Sequence, residues 1–506
     1  MDNSNNKRKS GDISGGGGGE GKIKEPAVST EEAVIICPYL DTIQRSILDF
    51  DFEPSCSVSL ETGPHVYGCL VCGKFFRGKG QHTPAYTHSV DEGHFVYVHL
   101  TKGTFHCLPD DYEIKDPSLK DVSTALHPTF SEDDIQKIDS NTGLARDLFG
   151  RRYLPGFVGL NNLHKTDYIN STIQALAHVR PLRDYFLRLS HRDTFKKNDN
   201  KKQKPPHRIS DLAKCFGELI RKMWSNKRFK SNVDPHMLIQ AVSRASKKRF
   251  QVGHQSEVGE FMAWFLNQLH IGLGGTRKPG SSIVYRTFQG KIESNGLSSI
   301  DPNVDGTAME TNFLQLTLDI PEKPLFRDED GGLVIPQEPL VSVMKKFDGV
   351  NFSVAISKSG VAQRKRYRLQ KLPPYLVLHL ARFKTNNYSR EKNPTIVAFP
   401  VKNLDLSSYT FPKDGKQSPP TETKVRAMNS LPDLLADKYD LVANITHNLP
   451  ADDGSYKCHV CHKNTNQWFE TQDLHVEETM PQLIGVSESY VLIFERKSSQ
   501  QIDLSK

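Results

Sequence analysis

Four side chains constrain this sequence more than any others: Cys69 and Cys72 in a Cys-Leu-Val-Cys run, followed by His88 and His94. Two thiolates and two imidazoles make the Cys2His2 donor set that satisfies a tetrahedral zinc ion, and lone histidines at a core edge do not gather this way. The surrounding segment, residues 33–114, is therefore expected to close on one structural zinc held by Cys69, Cys72, His88 and His94. Within it, Phe95-Val-Tyr-Val-His-Leu100 alternates as a strand. Cys37, Cys56 and Cys107 lack partners of the same kind, because Ser59 follows Cys56 and Tyr39 and Asp110 follow the other two. They read as buried thiols, and a second metal is not expected.

The chain has 506 residues, enough for about two or three domains. Its 66 basic and 59 acidic residues leave +7, an excess that tolerates anionic partners without demanding nucleic acid. Eight cysteines in two close pairs and four singles suit metal ligands in a reducing compartment better than a disulfide framework. No run is long and apolar enough to span a bilayer, and the N-terminus has no secretory signal, so a soluble chain with no membrane partner is expected. Residues 1–32, with Gly15–Gly19 unbroken, form a disordered tail whose Lys7-Arg8-Lys9 suits nuclear import. A polar connector, 115–150, leads to a large unit, 151–500. Ile169, Ile173 and Leu176 recur at helical spacing there, and Glu260–His270 reads as a buried helix. Tyr375–Leu380 and Tyr490–Phe494 read as strands, making the class α+β. The basic runs Lys196–Arg208, Arg221–Lys230 and Lys247–Arg249 read as solvated loops and faces, or as contacts for phosphates or acidic proteins. With few interleaved aromatics they do not indicate base stacking, and direct RNA contact stays open.

Chemistry enters through four separated motifs. Gly159-Leu-Asn-Asn-Leu-His-Lys-Thr-Asp-Tyr-Ile-Asn-Ser171 resembles the ubiquitin-specific peptidase box GLxNLGNTCYxNS, with Asp167 where the nucleophilic Cys belongs and Lys165 in place of the oxyanion Asn. Gln255, Glu257, Glu260 and Phe261 resemble QxDxxEF, and Lys371–Phe383 resembles KLPxxLxLHLxRF. The last box opens at Tyr439-Asp-Leu and His447, then gives Gly454-Ser455-Tyr456 for GHY and Gln472 for the orienting Asp or Asn. The resemblance implies a papain-like right hand of thumb helices, palm sheet and fingers. A cysteine protease needs a thiol at a helix N-terminus, an imidazole within reach and a group that orients it. A carboxylate without an adjacent imidazole is a weak nucleophile toward an isopeptide, so no catalytic residue is assigned. Asp167 reads instead as a helix cap.

The segment around the Cys/His set resembles the ubiquitin-protease type zinc finger. There Tyr67 stands where a Trp is common, and Lys74, a point charge rather than a fork, follows Cys72-Gly73, which weakens capture of a carboxylate tail. The stretch 283–347 has no cysteine, so the family's finger-ribbon zinc is not expected. Cys458-His-Val-Cys461-His462 reads as ordinary cysteines on a strand, and Cys215 as a buried small hydrophobe. The stretch Cys37–Phe52, and Val158–Leu163 with Asp167-Tyr168, resemble the inactive, splicing-associated ubiquitin-specific peptidase 39 type. That resemblance implies a nuclear role in pre-mRNA splicing, in assembly or maintenance of the tri-snRNP, through contacts with tri-snRNP proteins. The alternatives are a protein that binds ubiquitin or a ubiquitin-like modifier without cutting it, and an atypical deubiquitinase using Cys458 or Cys461.

Overall fold

The computed structural model describes residues 37–189, 209–297, 305–322, 326–327, 333–356, 362–385, 390–410, 437–448 and 454–497. The tail 1–32, with its Lys7-Arg8-Lys9, and the basic run 196–208 lie outside the described residues.

The first unit is a five-stranded antiparallel sheet of β1 (Val66–Cys69), β2 (Phe75–Arg77), β3 (Val96–His99), β4 (Phe105–Cys107) and β5 (Tyr112–Ile114), in the order β2-β1-β3-β4-β5. Helix α1 (Pro84–Asp91), with Pro84 at its first position, is inserted between β2 and β3. The two faces feed different clusters, as a period of two requires. Val66, Val96, Val98 and Phe105 pack in one with Cys37 and Cys107, while Tyr67, Cys69, Phe76, Ala85 and Tyr97 form the other.

The stretch read as a polar connector is built in at both ends. Helix α2 (Lys120–Leu126) sends Leu119, Val122 and Leu126 into the first unit's core, and α3 (Glu132–Lys137) sends Ile135 into the larger core beyond. Apolar residues three and four apart among charged neighbours suffice for a one-sided helix. α3 is further fixed by a capping box in which Ser131 and Asp134 satisfy each other's backbone N–H.

The second unit opens with helices α4 (Asp167–Ala177), α5 (Arg180–Arg188), α6 (Asp211–Trp224), α7 (His236–Ala245), α8 (Val258–Gly272) and α9 (Ile283–Phe288). Strands follow: β6 (Gly290–Leu297), β7 (Asp305–Phe313), β8 (Leu316–Asp319), β9 (Asp348–Ile356), β10 (Ala362–Lys371), β11 (Tyr375–Ala381), β12 (Lys438–His447), β13 (Tyr456–Cys461), β14 (Trp468–Gln472), β15 (His475–Thr479) and β16 (Ser489–Arg496). An eight-stranded palm sheet runs β8-β11-β16-β12-β13-β14-β15, with Leu404–Asp405 pairing β12. β8 and β11 are parallel, and the other neighbours are antiparallel. Tyr375 and Val377 face the thumb helices, whereas Leu376, Leu378 and Leu380 face a second core. Burial on both sides explains why β11 reads as an unbroken apolar run. A separate four-stranded sheet, β9-β10-β6-β7, forms the fingers. Among the described residues no helix is long and apolar enough to cross a membrane.

The run Arg221–Lys230 is not a solvated face. Arg221 is buried and donates to the carbonyls of Phe186 and Leu189 at 3.1 and 2.7 Å. Lys222 Nζ donates to Asp51 Oδ1 at 2.8 Å and to the Phe50 carbonyl at 2.7 Å, and the Asp234 amide donates to Asp51 Oδ2 at 3.0 Å. Lys230 pairs with Asp49, and Arg244 with Glu53. The Asp49–Glu53 stretch thus straps the first unit to α6 and α7. By contrast Lys247, Lys248 and Arg249 are exposed.

Burial alone would raise the Asp51 carboxyl's pKa, but Lys222 and the Asp234 amide outweigh it and hold it below its ordinary value. Its contribution is therefore present above about pH 4 and lost as pH falls through the depressed folded value. Asp51→Ala should lower unfolding stability at pH 7 by about 3 kcal/mol, since it strands a half-buried lysine. Asp51→Ala with Lys222→Met should lose less than the two single changes summed; denaturant unfolding of the four proteins checks both.

Candidate functional site at the thumb–palm junction

The loop ahead of α4 is tied to the palm by backbone and amide contacts. The Leu160 amide donates to the Asp473 carbonyl at 2.8 Å, and a Cβ at Gly159 would lie 2.6 Å from the Leu474 carbonyl oxygen, so only glycine fits. Asn162 Nδ2 and Asn170 Nδ2 donate to the two carboxylate oxygens of Asp473 at 3.1 and 3.2 Å. Asn162 Oδ1 accepts from the Thr166 amide and hydroxyl, both at 3.1 Å. His164 and Lys165 adopt left-handed backbone, φ +76° and +55°, where the resembling box has Gly-Asn. Such residues cost about 1–2 kcal/mol each, and the surrounding bonds hold them there. Lys165 itself is exposed.

Asp167 corrects the reading of it as a cap. Thr166 occupies the N-cap, and Asp167 is the first residue of α4. Its carboxylate reaches across to the palm: Oδ2 accepts from the Tyr456 amide at 2.7 Å and from Gln255 Nε2 at 3.1 Å. The side chain is buried, and burial pushes its pKa up, with Asp473 adding to the rise while the bonds from Tyr456 and Gln255 pull the other way. One residue before Tyr456, Ser455 Oγ donates to Asn448 Oδ1 at 3.0 Å and accepts from Gln472 Nε2 at 2.9 Å. Asp167 and Gln472 are therefore held by consecutive residues, Tyr456 and Ser455, and neither bond involves a thiol or an imidazole.

The second and third motifs meet behind this junction. His379 Nε2 lies 2.6 Å from Glu257 Oε1, and a Cβ at Gly259 would come within 2.3 Å of the same nitrogen. Phe261 packs edge-on against Tyr168 at 5.3 Å. Glu260 faces outward to Arg249 at 2.6 Å. Cys458 and Cys461 lie on β13, where burial pushes both thiols up, Cys461 to about 11. Protonated buried thiols are inert. The nearby imidazoles are engaged elsewhere, His459 with Glu470 at 3.0 Å and His462 with the Asn141 carbonyl at 3.0 Å. Cys215 is buried on α6.

Sequence reasoning places Asp473 in the last motif, beside Gln472, without giving it a role, and it missed Asn448. Asp473 gathers both asparagines of the first box, and Asn448 holds Ser455 by its amide as well as its hydroxyl. The signal for the first was the polar Asn162 and Asn170 flanking an otherwise buried helix start.

In the first unit, ligand atoms of Cys69, Cys72, His88 and His94 all lie within 4.8 Å of one another. Cys72 Sγ is 3.4 Å from His88 Nε2, which is 3.1 Å from His94 Nδ1. Tetrahedral zinc with bonds of about 2.0–2.3 Å places its ligand atoms about 3.3–3.8 Å apart, so this donor set fits a metal ion. The turn that presents Cys72 depends on Gly73 at φ +75°, whose amide donates to the Cys69 carbonyl at 3.0 Å. Among the described residues no other group of three His, Cys, Asp or Glu ligands gathers. Cys37, Cys56 and Cys107 are buried free thiols. Tyr67 is buried edge-on against His99 at 4.8 Å, and Lys74 is exposed.

A right-handed thumb and palm carrying these motifs, preceded by a Cys/His finger, defines a class. Residues 158–494 match the family described as ubiquitin carboxyl-terminal hydrolase, and residues 56–119 match the zinc finger of ubiquitin hydrolases and other proteins. The chain belongs to the ubiquitin carboxyl-terminal hydrolase family. It is 42% identical over 480 residues to ubiquitin carboxyl-terminal hydrolase 39 of Homo sapiens, covering 92% of this chain and 80% of that one. It is 38% identical over 479 residues to the probable mRNA-splicing protein ubp10 of Schizosaccharomyces pombe, covering 91% and 88%. Among solved structures, one described as an essential yeast splicing factor matches with a TM-score of 0.66 and 24% identity, over 91% of this chain and 100% of that one, and supports the fold.

Because the Asp167 carboxyl is raised, its folded form binds protons more readily than the unfolded chain, and stability falls as pH rises through that value. Asp167→Asn keeps an oxygen for the Tyr456 amide and removes the buried charge, so at pH 7 it should equal or exceed the parent in stability. The parent should gain on this variant as pH falls toward about 4. Asp167→Ala, which leaves that amide unpaired, should lose about 1–3 kcal/mol. Thermal unfolding of the three proteins across pH measures all of this.

Proposed function

We propose that this chain is a catalytically inactive member of its family that acts as a scaffold in pre-mRNA splicing, in the nucleus, through assembly or maintenance of the tri-snRNP. The observation that carries the loss of activity is Asp167 itself. At the position of the nucleophile stands a buried carboxylate whose Oδ2 already accepts two hydrogen bonds. Position 455 offers a hydroxyl engaged with Asn448 and Gln472, which cannot relay a proton as an imidazole does. The mRNA-splicing name of the Schizosaccharomyces pombe relative supports the place of action. In this reading the thumb–palm junction is a structural joint, and the protein works through surfaces that bind tri-snRNP proteins. One zinc ion, held by Cys69, Cys72, His88 and His94, stabilises the finger by closing the β1–β2 turn onto α1.

Three measurements test this. Tagged full-length protein incubated in nuclear extract should recover small nuclear ribonucleoprotein proteins, and a partner list without them would overturn the splicing assignment. The purified chain should neither release a fluorophore from the ubiquitin C-terminus nor form an adduct with a ubiquitin vinyl-sulfone. Saturable ubiquitin titration without cleavage would move the reading to a non-hydrolytic ubiquitin receptor. Zinc analysis should return about one ion per chain, and Cys72→Ser should lower it toward zero while destabilising the finger.

A further inference from the structure

One edge of the finger sheet departs from the way soluble proteins protect such edges. In the order β9-β10-β6-β7, β9 pairs with β10 alone among the described residues, so its outer backbone groups face away from the sheet. Its sequence, Asp-Gly-Val-Asn-Phe-Ser-Val-Ala-Ile, carries no charge after Asp348. Beyond an irregularity between Asp348 and Phe352, Phe352 and Val354 alternate and share one face, where they are 36 and 71% exposed. Exposed edge strands are ordinarily short, or carry lysine or proline that blocks pairing with another chain. β9 does neither.

The charge on this face comes from the next strand. Phe352 lies opposite Arg366, Val354 opposite Arg364 and Asp348 opposite Arg368. The guanidinium carbons of Arg364 and Arg366 stand 4.8 and 4.2 Å from the centre of the Phe352 ring. Both arginines thus lean outward over β9, about one strand spacing short of where a further strand would lie. That combination of an open backbone edge, apolar side chains and overhanging cations fits one kind of occupant.

We propose that β9 is a docking edge for an extended acidic segment of a partner protein, which adds to the sheet as a fifth strand. Its backbone pairs with the outer groups of β9. Its glutamate or aspartate side chains share the face of Phe352 and Val354, laying their stems on Val354 and their carboxylates on Arg364. RNA fits less well. The Phe352 ring is occupied by guanidinium groups, and Glu293 and Glu310, aligned with Arg368 across β6 and β7, would meet a polyanion laid over the sheet. The inference rests on this surface and stands or falls separately from the splicing role.

Full-length protein is titrated with two labelled peptides of about nine residues, one alternating valine and glutamate, the other alternating valine and lysine. The glutamate peptide should saturate and protect the amides of residues 349–356 from hydrogen exchange. Val354→Lys, at an exposed position, should weaken it at least about tenfold without moving the unfolding midpoint. Arg364→Glu with Arg366→Glu should reverse the preference toward the lysine peptide. Equal binding of the two peptides, protection confined to other strands, or indifference to these changes would overturn the proposal. So would self-association abolished by Val354→Lys, which would give the edge to a second copy, or an oligouridine that displaces the glutamate peptide, which would give it to RNA.

Discussion

The bond from the Tyr456 amide to the Asp167 carboxylate, 2.7 Å long, joins the first helix of the thumb to a central strand of the palm. It lies beside the motif positions, Asp167 and Ser455, that the sequence resemblance sets against a thiol and an imidazole. A carboxylate can hold that place because one of its oxygens, Oδ2, accepts twice, Gln255 supplying the second donor at 3.1 Å. The cost is the desolvation that raises its pKa. An interaction of this sort serves structure: the carboxylate accepts from fixed protein donors, and Asp473, in the turn between β14 and β15, gathers Asn162 and Asn170 nearby.

The rest of the molecule extends the same logic of fixed joints. The finger gathers four ligand side chains, and the acidic strap at Asp49–Glu53 fastens it to α6 through Lys222 and to the segment after α6 through Lys230. The segment between the units contributes apolar residues to both cores. Away from the junction, the strand Asp348–Ile356 at the edge of the four-stranded sheet pairs on one side only among the described residues.

Much of this was legible in the sequence where the cause is local. The buried helices α4 and α8 and the doubly covered strands β11 and β16 announce themselves by period and apolar run, and the Cys/His set by ligand chemistry. The motif spacing picks out Asp167, Ser455 and Gln472 together, but the partner of Asp167 is a backbone amide 289 residues away, which no side-chain pattern encodes. For the same reason Asp167 looked like a cap and Arg221–Lys230 like a solvated run: their partners, Tyr456 and the Asp49–Glu53 strap, become neighbours only when the chain folds. The left-handed backbone at His164 and Lys165 was equally hidden, since lysine does not favour it and a histidine, though enriched there, does not by itself announce it.

The direct test of the joint is the hydrogen exchange of one amide. In the native chain the Tyr456 N–H should exchange slowly, at the rate of its buried neighbours on β13. In Asp167→Ala it should exchange far faster, while amides of β11 and β16 keep their protection. Equal Tyr456 exchange in the two proteins would contradict the account, because the carboxylate would then not be holding thumb to palm.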